Sequence, residues 1–530
     1  FRGPATISGA WRLERWSPGT LVGKTTWTAS VPAGARFRGA WEGERRLTRP
    51  TLPSDGGYYR FADYATKSDA DAAWNVGSES MIAFKDDLRS SWRNLNDIEI
   101  VAHHLWVTSR LPIRSLDDAA RSVRFDRRSV GKLMDDYTGG KAPYRVENVA
   151  EALSPGRFYI DRPTGLVHVL GEKPRTVFAP HLATLVKVSR AKDVRFEGID
   201  FAHTDWNLPA GYAGDGQASI SVPGALILDG TEGARVSRCR FAHLGGWALE
   251  VIGTARANRI ERCRMEDLGG GGVKIGPGTD STTLEDSTIV GGGRTFASAE
   301  GVWIGDSGHN VVAYNCIRDL FYTGVSVGWS WGYGPSNAVA NRIEGNDISE
   351  IGQAELSDMG GIYTLGVSPG TIVRGNRIRD VRSRGYGGWG IYLDEGSTGI
   401  LVENNIVMET TTGGFHQHYG KDNVVRNNLF AFGQRDGQVI RTRLEDHRSF
   451  RFERNVVVWK GTPLLAGDWK KGNAEFERNL FWRTDEPVFL PSVVGATNVS
   501  ADPGLRPNGS LGRAADRIGF QPLPKRFGPR

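Results

Sequence analysis

A six-residue phrase, apolar-x-x-Asn/Cys-x-apolar, returns from about residue 236 onward every 23 to 31 residues. It reads Val236-Ser-Arg-Cys239-Arg-Phe241, then Ile260-Glu-Arg-Cys263-Arg-Met265, then Leu284 through Ser287 to Ile289. It continues on Asn315, Asn346, Asn376, Asn405, Asn428, Asn455 and Asn479. One short strand phrase per repeat at that period marks a solenoid. The strand positions are β-branched or aromatic, and the gaps are rich in Gly, Asn and Asp, which favours β-coils over stacked helices. The expected fold is all-β, a right-handed parallel β-helix.

Composition fits such a solenoid and excludes several function classes. Gly makes up 69 of 530 residues, well above the usual ~7%. The excess is expected at coil corners, where φ > 0 is needed. No apolar run approaches the ~18 residues that a membrane helix needs. The net charge is +6, but the charges are spread along the repeats, with no basic stripe interleaved with aromatics as nucleic-acid binding requires. Cys239 and Cys263 share one ladder position and Cys316 sits one residue off it, so it faces the other way. They are expected to pack as small hydrophobes, with neither a disulfide framework nor a zinc site. No metal and no cofactor is implied. The chain starts at Phe1, and a removed leader would place it outside the cytoplasm, periplasmic or secreted.

The period divides the chain. Residues 1–33 read as a first β-helix coil. Residues 34–175 break the period with hairpin-like segments and form an inserted β-rich domain that caps the solenoid or walls its cleft. Residues 176–502 carry the parallel β-helix. A Gly/Pro/Arg-rich tail, 503–530, wraps or frays.

A second ladder holds the chemistry. Its phrases begin at Gly272, Gly301, Gly324, Gly361, Gly390 and Gly414. Alternation along a strand turns Val273, Val302, Val325, Ile362, Ile391 and Phe415 inward. It turns Lys274, Trp303, Ser326, Tyr363, Tyr392 and His416 outward, with Asp394 and His418 two residues further on. Arg441 and Arg443 are expected to extend these rows. Aromatic rings beside carboxylates and imidazoles suit sugars, whose C–H faces pack on rings and whose hydroxyls need polar partners. The loop Gly328-Trp-Ser-Trp-Gly-Tyr-Gly-Pro335 adds Trp329, Trp331 and Tyr333 as a platform. A dense cluster of Arg441, Arg443, Glu445, Asp446 and His447 is either a substrate contact or a self-satisfied network.

Glycosidic hydrolysis needs two carboxyl groups across the scissile atom. Asp358 and Asp394 are the expected pair, on coils about 4.8 Å apart. The loop bearing Asp358 must fold back over the sheet for them to meet. Glu395, Glu355 and Glu300 are reserve acids, with Glu395 expected to face away from Asp394. His-x-His at 416 and 418 lacks a clear third metal ligand.

Asp358-Met-Gly-Gly-Ile-Tyr-Thr-Leu-Gly366, Tyr386-Gly-Gly-Trp-Gly-Ile-Tyr-Leu-Asp-Glu-Gly396 and Gly414-Phe-His-Gln-His-Tyr-Gly420 resemble β-helix proteins of glycoside hydrolase family 141. Ser326 to Pro335, Phe241 to Gly246, Arg441-Thr-Arg443, Trp92 to Leu95 and Val146 to Val149 fit the same pattern, so the resemblance spans nearly the whole chain. It implies an α-L-fucosidase- or xylanase-type activity, with the proposed catalytic aspartates falling on Asp358 and Asp394. Two other readings compete. A polysaccharide lyase would need a base such as Lys274, Arg441 or Tyr392. A glycan-binding solenoid would bind carbohydrate without turnover.

Overall fold

The computed structural model describes residues 1–137, 139–470 and 473–530. Each solenoid coil contributes three strands. In the coil of Val236 these are Arg235–Ser237, Arg240–Leu244 and Trp247–Ile252. The first two kinds alternate in a 23-stranded sheet that bends at a corner, and the third kind stacks into a separate 12-stranded sheet. Pairing between coils is parallel throughout, and equivalent positions meet: Val236 beside Ile260, Ile260 beside Leu284, Leu284 beside Val312. Those apolar positions form one continuous buried core along the axis.

The corner between the first two strands carries the asparagine ladder. Asn376 Nδ2 donates to Asn405 Oδ1 at 3.0 Å, Asn405 Nδ2 to Asn428 Oδ1 at 2.9 Å, and Asn428 Nδ2 to Asn455 Oδ1 at 3.0 Å. The same Oδ1 atoms accept the backbone N–H of the preceding Asn, and each Nδ2 also reaches a carbonyl one coil back. Cys239 and Cys263 are buried at this position and Cys316 is half-buried beside it, all three free thiols.

Glycine does not serve this corner as composition had implied. The residue before each ladder position has φ between 51° and 65°, yet it is glycine only at Gly345 and Gly375; elsewhere it is Arg238, Arg262, Asp286, Tyr314, Asn404, Asn427, Arg454 or Arg478. A side chain in that conformation costs about 1–2 kcal/mol. The amide bonds fixed beside it offset that cost at every coil. Glycine is required elsewhere: at Gly301 an added Cβ would lie 2.5 Å from the carbonyl oxygen of Gly324 on the next coil.

The first segment of the chain departs from expectation. Only Arg2–Ser8 joins the solenoid, in parallel with Arg195–Ala202. Ala10–Leu13 pairs antiparallel with Val177–Pro180, and Lys24–Ser30 with Leu166–Val169. Residues 10–30, and the strand Val177–Pro180, expected on the β-helix, therefore belong to the β-rich domain, because they pair antiparallel with each other and with its strands and not with a coil. That domain has a seven-stranded and two four-stranded sheets around cores of its own. The tail wraps: Leu505, Leu511, Phe520 and Leu523 cover Ile406, Leu429, Val456 and Leu480, and Arg530 reaches Asp286 at 3.1 Å.

Asn405→Ala removes an acceptor from Asn376 and a donor from Val373 and Asn428 in a dry corner. Each buried polar group left unpaired costs about 1–3 kcal/mol. The urea midpoint, followed by circular dichroism, is expected to fall by the equivalent of about 3 kcal/mol or more.

Candidate active site

The outer face of the 12-stranded sheet carries the expected row. Lys274 lies beside Trp303, Trp303 beside Ser326, Ser326 beside Tyr363, Tyr363 beside Tyr392 and Tyr392 beside His416. The next member is Ile440. Arg441 pairs with Gln417 and turns inward, since an offset of one residue reverses the face. It is fully buried, donates to Asn473 Oδ1 at 2.6 Å and lies 4.6 Å over Trp469. Arg443 is exposed and lies over Tyr419 at 4.2 Å.

A pocket of about 550 Å³ opens on this face. Tyr363, Tyr392, Asp394, His416 and His418 line it from the sheet, as expected, together with Ile440 and Thr442. Trp389 joins them from the first position of its strand, while Asp358, Tyr386 and Trp331 come from the loops, and Trp331 is 58% exposed. Trp74, Trp106 and Tyr137 of the inserted domain form the remaining wall. The inserted domain therefore walls the cleft of the solenoid.

The Asp358 loop folds back as the spacing required. Its backbone N–H donates to the Tyr386 carbonyl at 3.0 Å, and the Ser357 N–H donates to the carbonyl of Leu105 in the inserted domain at 2.9 Å. Asp358 itself has φ of 54°, a conformation that persists where surrounding structure over-determines it. Gly387 packs against it so closely that an added Cβ would lie 2.7 Å from the Asp358 nitrogen.

Asp394 is buried and Asp358 half-buried, and they differ electrostatically. Burial, then the charge of Asp394, pushes the Asp358 carboxyl up to about 8, with Tyr392 and Tyr386 hydroxyls drawing it back. Burial also raises Asp394, but hydrogen bonds from Tyr363 and Tyr392 and the nearby His418 oppose the rise. The Tyr363 hydroxyl donates to Asp394 Oδ2 at 2.7 Å. Two carboxyls in one dry site do not both ionise readily, so the proton they share at neutral pH rests on Asp358.

His416 stacks on Tyr392 at 4.7 Å and its Nε2 lies 3.2 Å from Thr442 Oγ1. Burial holds its pKa well below the ordinary imidazole value, so it is neutral. His418 Nδ1 meets the same hydroxyl at 2.6 Å. Among the described residues, no three His, Cys, Asp or Glu side chains gather as a metal site would need.

Several expected site residues stand elsewhere. Trp303 is buried and Trp329 tilts between it and Tyr363. Trp329 donates to Ser326 Oγ at 3.0 Å, and Ser326 donates to Glu300. These residues back the pocket wall, because the loop plugs down onto the sheet. Tyr333 donates to Glu445 and lies 3.2 Å from His447, so that polar cluster satisfies itself around Tyr333 and Tyr419. Glu355 accepts from Tyr58 and faces His103 and Arg145. It clamps the Asp358 loop to the inserted domain instead of lining the pocket. Glu395, expected to face away, lines it. The strand bulges there: Leu365 pairs with Asp394 but Val367 pairs with Thr398, and a bulge breaks alternation.

The sequence reading missed Trp74, Trp106, Tyr137, Tyr386 and Trp389. The last two stand in a phrase already singled out, Tyr386 to Gly396. The others sit on loops of another domain, where no periodicity points at the cleft.

The comparisons agree with this architecture. A model described as "Right handed beta helix region" matches residues 219–330 and 333–481. The solenoid is a right-handed parallel β-helix. No curated protein sequence matches the chain. A solved structure titled "Glycoside hydrolase" is similar at 20% identity and a TM-score of 0.64, covering 87% of this chain and 83% of that one. "The complex structure of XylC with xylose" is similar at 13% identity and a TM-score of 0.44, covering 88% of this chain and 76% of that one. A mannuronic acid specific polysaccharide family 6 lyase from human gut microbiota is similar at 12% identity and a TM-score of 0.32, covering 61% and 87%. At 20% identity the likeness to the first of these is one of fold.

The raised Asp358 carboxyl has a stability signature. Its folded pKa lies above the unfolded value of 3.8, so its contribution is fully present below that value and is lost as pH rises through about 8. Asp358→Asn, which cannot ionise, is expected to leave the melting temperature unchanged at pH 4 and to raise it by about 4 °C at pH 8. Thermal unfolding at the two pH values checks this.

Proposed function

We propose that the protein is a glycoside hydrolase acting on a plant or microbial poly- or oligosaccharide. The carrying observation is the Asp358–Asp394 pair in an aromatic pocket, with tyrosine hydroxyls holding both acids. Asp358, protonated, delivers its proton to the glycosidic oxygen as the bond to the anomeric carbon breaks. Asp394, ionised, stabilises the developing oxocarbenium charge and either attacks that carbon or takes a proton from the attacking water. Tyr363 holds Asp394 in position. Trp106, Trp331, Tyr386 and Trp389 pack against sugar C–H faces. The family 141 motifs and the fold neighbour titled "Glycoside hydrolase" support this reading, and the motifs favour an α-L-fucosidase- or xylanase-like activity.

Of the three side chains offered for a lyase, Tyr392 lines the pocket, but burial and the charges of Asp358 and Asp394 push its hydroxyl well above the ordinary phenol range. The other two are otherwise engaged. Lys274 is sealed against Glu250 at 2.9 Å and two backbone carbonyls, and Arg441 faces inward. Among the described residues, the pocket lining contains no Lys or Arg beside its four carboxylates, Asp358, Asp394, Glu395 and Asp436. A uronate carboxylate would meet like charge there.

Incubation with xylan- and fucose-containing oligosaccharides is expected to release reducing sugar without a gain in ultraviolet absorbance. Unsaturated products from a uronic-acid polymer would overturn the hydrolase reading in favour of elimination. Binding of every glycan without turnover would leave only a lectin. Asp358→Asn and Asp394→Asn should each lower kcat by roughly 10²–10⁴. The pH profile of kcat/KM should be a bell whose alkaline limb, set by the acid that must stay protonated, lies near pH 8 and reflects the pair. Trp106→Ala should raise KM by roughly five- to tenfold with a smaller change in kcat, read from initial rates.

A further inference from the structure

A second cavity of about 500 Å³ lies between the inserted domain and the first coils, away from the aspartate pair. Seven arginines line it against three carboxylates, Asp97, Glu99 and Asp126. Its buried layer is internally paired. Glu99 accepts from Arg38 at 2.8 Å and from Arg49, and Glu147 accepts from Arg49 and, at 2.9 Å, from Arg110. Even with Glu147 counted behind that layer, positive charges exceed negative ones by three.

The protein does not supply enough acceptors for these cations. Arg38, Arg49, Arg110, Arg127 and Arg162 each keep a buried Nε–H with no hydrogen-bond partner. Buried polar groups are normally paired, so five such donors around one cavity mark a cluster short of acceptors. They are too sheltered to be contact points themselves. The contact points are Arg36 and Arg114, which are exposed on the cavity rim. Among the described residues, neither guanidinium has a hydrogen bond or an ion pair. Partial burial and the neighbouring charge of Arg162 weigh against the Arg36 cation more than Asp97 and Glu99 favour it, a net penalty that an added anion reduces.

A second depression of about 390 Å³ shares Asn96, Asp97 and Arg162 with the cavity and continues it toward Asn94 and Gly34. A lone inorganic ion does not need a groove of that length. Planar guanidinium forks suit carboxylate and sulfate oxygens, and Asn96, exposed in the lining of both cavity and depression, offers a partner for hydroxyls.

We infer that this arginine-lined cavity is a binding site for an acidic saccharide, held through its carboxylate or sulfate groups and separate from the catalytic pocket. The full chain, at constant ionic strength, is titrated by calorimetry and thermal shift with trigalacturonate, a sulfated galactan tetrasaccharide, neutral xylotetraose and sodium sulfate. Saturable binding of an acidic oligosaccharide is expected, with no response to xylotetraose. The double variant Arg36→Ala/Arg114→Ala, which loses no ion pair and should melt like the parent without ligand, is expected to bind about tenfold more weakly or worse. Asp358→Asn should bind like the parent, which separates this site from the hydrolase reading. Failure of both acidic oligosaccharides to bind, or unchanged binding by the double variant, would overturn the site. Equal stabilisation by sulfate alone would overturn its assignment to a saccharide and leave an inorganic oxyanion.

Discussion

The amide ladder at the first corner is the interaction on which the rest of the molecule depends. A parallel β-coil closes only if the chain turns through φ > 0 once per coil at that corner, and here a side-chain-bearing residue makes the turn in most coils. A stack of Asn side chains, each bonded to the next coil's Oδ1 and to a carbonyl one coil back, makes that turn recur at the same place. Fixed corners mean fixed register. The third strand of each coil then begins at the same point, and residues distant in sequence form one outward row.

Register explains why the pocket is built as it is. Tyr363, Tyr392 and His416 are consecutive members of the row, so their rings stand one coil apart and pack on each other, with Tyr392 and His416 stacked at 4.7 Å. That aromatic layer excludes water from Asp394 on the neighbouring row. The 37-residue step from Ser326 to Tyr363 provides the slack for the Asp358 loop to return over the sheet. Desolvation then does what no single hydrogen bond does: it raises both carboxyls and makes them compete for one proton. The tyrosine hydroxyls bias the outcome, since the one from Tyr363 is committed to Asp394.

Much of this was legible in the sequence. The ladder residues gave the coil count and register, the Gly-led phrases gave the row, and the long coil pointed to Asp358. Three kinds of information were not legible, each for a physical reason. Arg441 and Glu395 were assigned by strict alternation, which fails where a strand starts one residue later or bulges, and nothing in composition marks either event. Trp329 and Tyr333 were read as a platform because aromatics among small residues look exposed; Tyr333 is exposed but turned to Glu445, and Trp329 is half-buried because glycines on neighbouring coils let that part of the loop sink. At Gly366 an added Cβ would lie 1.8 Å from the Ser330 carbonyl oxygen. Trp106 was invisible as a site residue because its partners belong to a fold without a period.

One hairpin of the inserted domain ties the pocket wall to the solenoid. Glu99–His104 and Val107–Asp117 pair antiparallel, with Leu105 and Trp106 at the turn. The turn delivers Trp106 to the aspartate pocket and holds Ser357, while Glu355 accepts from Tyr58, whose ring packs edge-on against His103 of the adjacent strand. Arg110, four residues along and so about 13 Å away, fixes the same hairpin to the solenoid through the carbonyl of Thr295 at 2.7 Å. The buried Arg38, Arg49, Arg110, Glu99 and Glu147 network is therefore the strut that sets where Trp106 stands. Such a network resists sliding because every displacement leaves a desolvated charge unpaired. The acidic aromatic pocket and the basic cavity sit at two ends of one rigid element, and the charge that stiffens the strut also makes its far end electropositive.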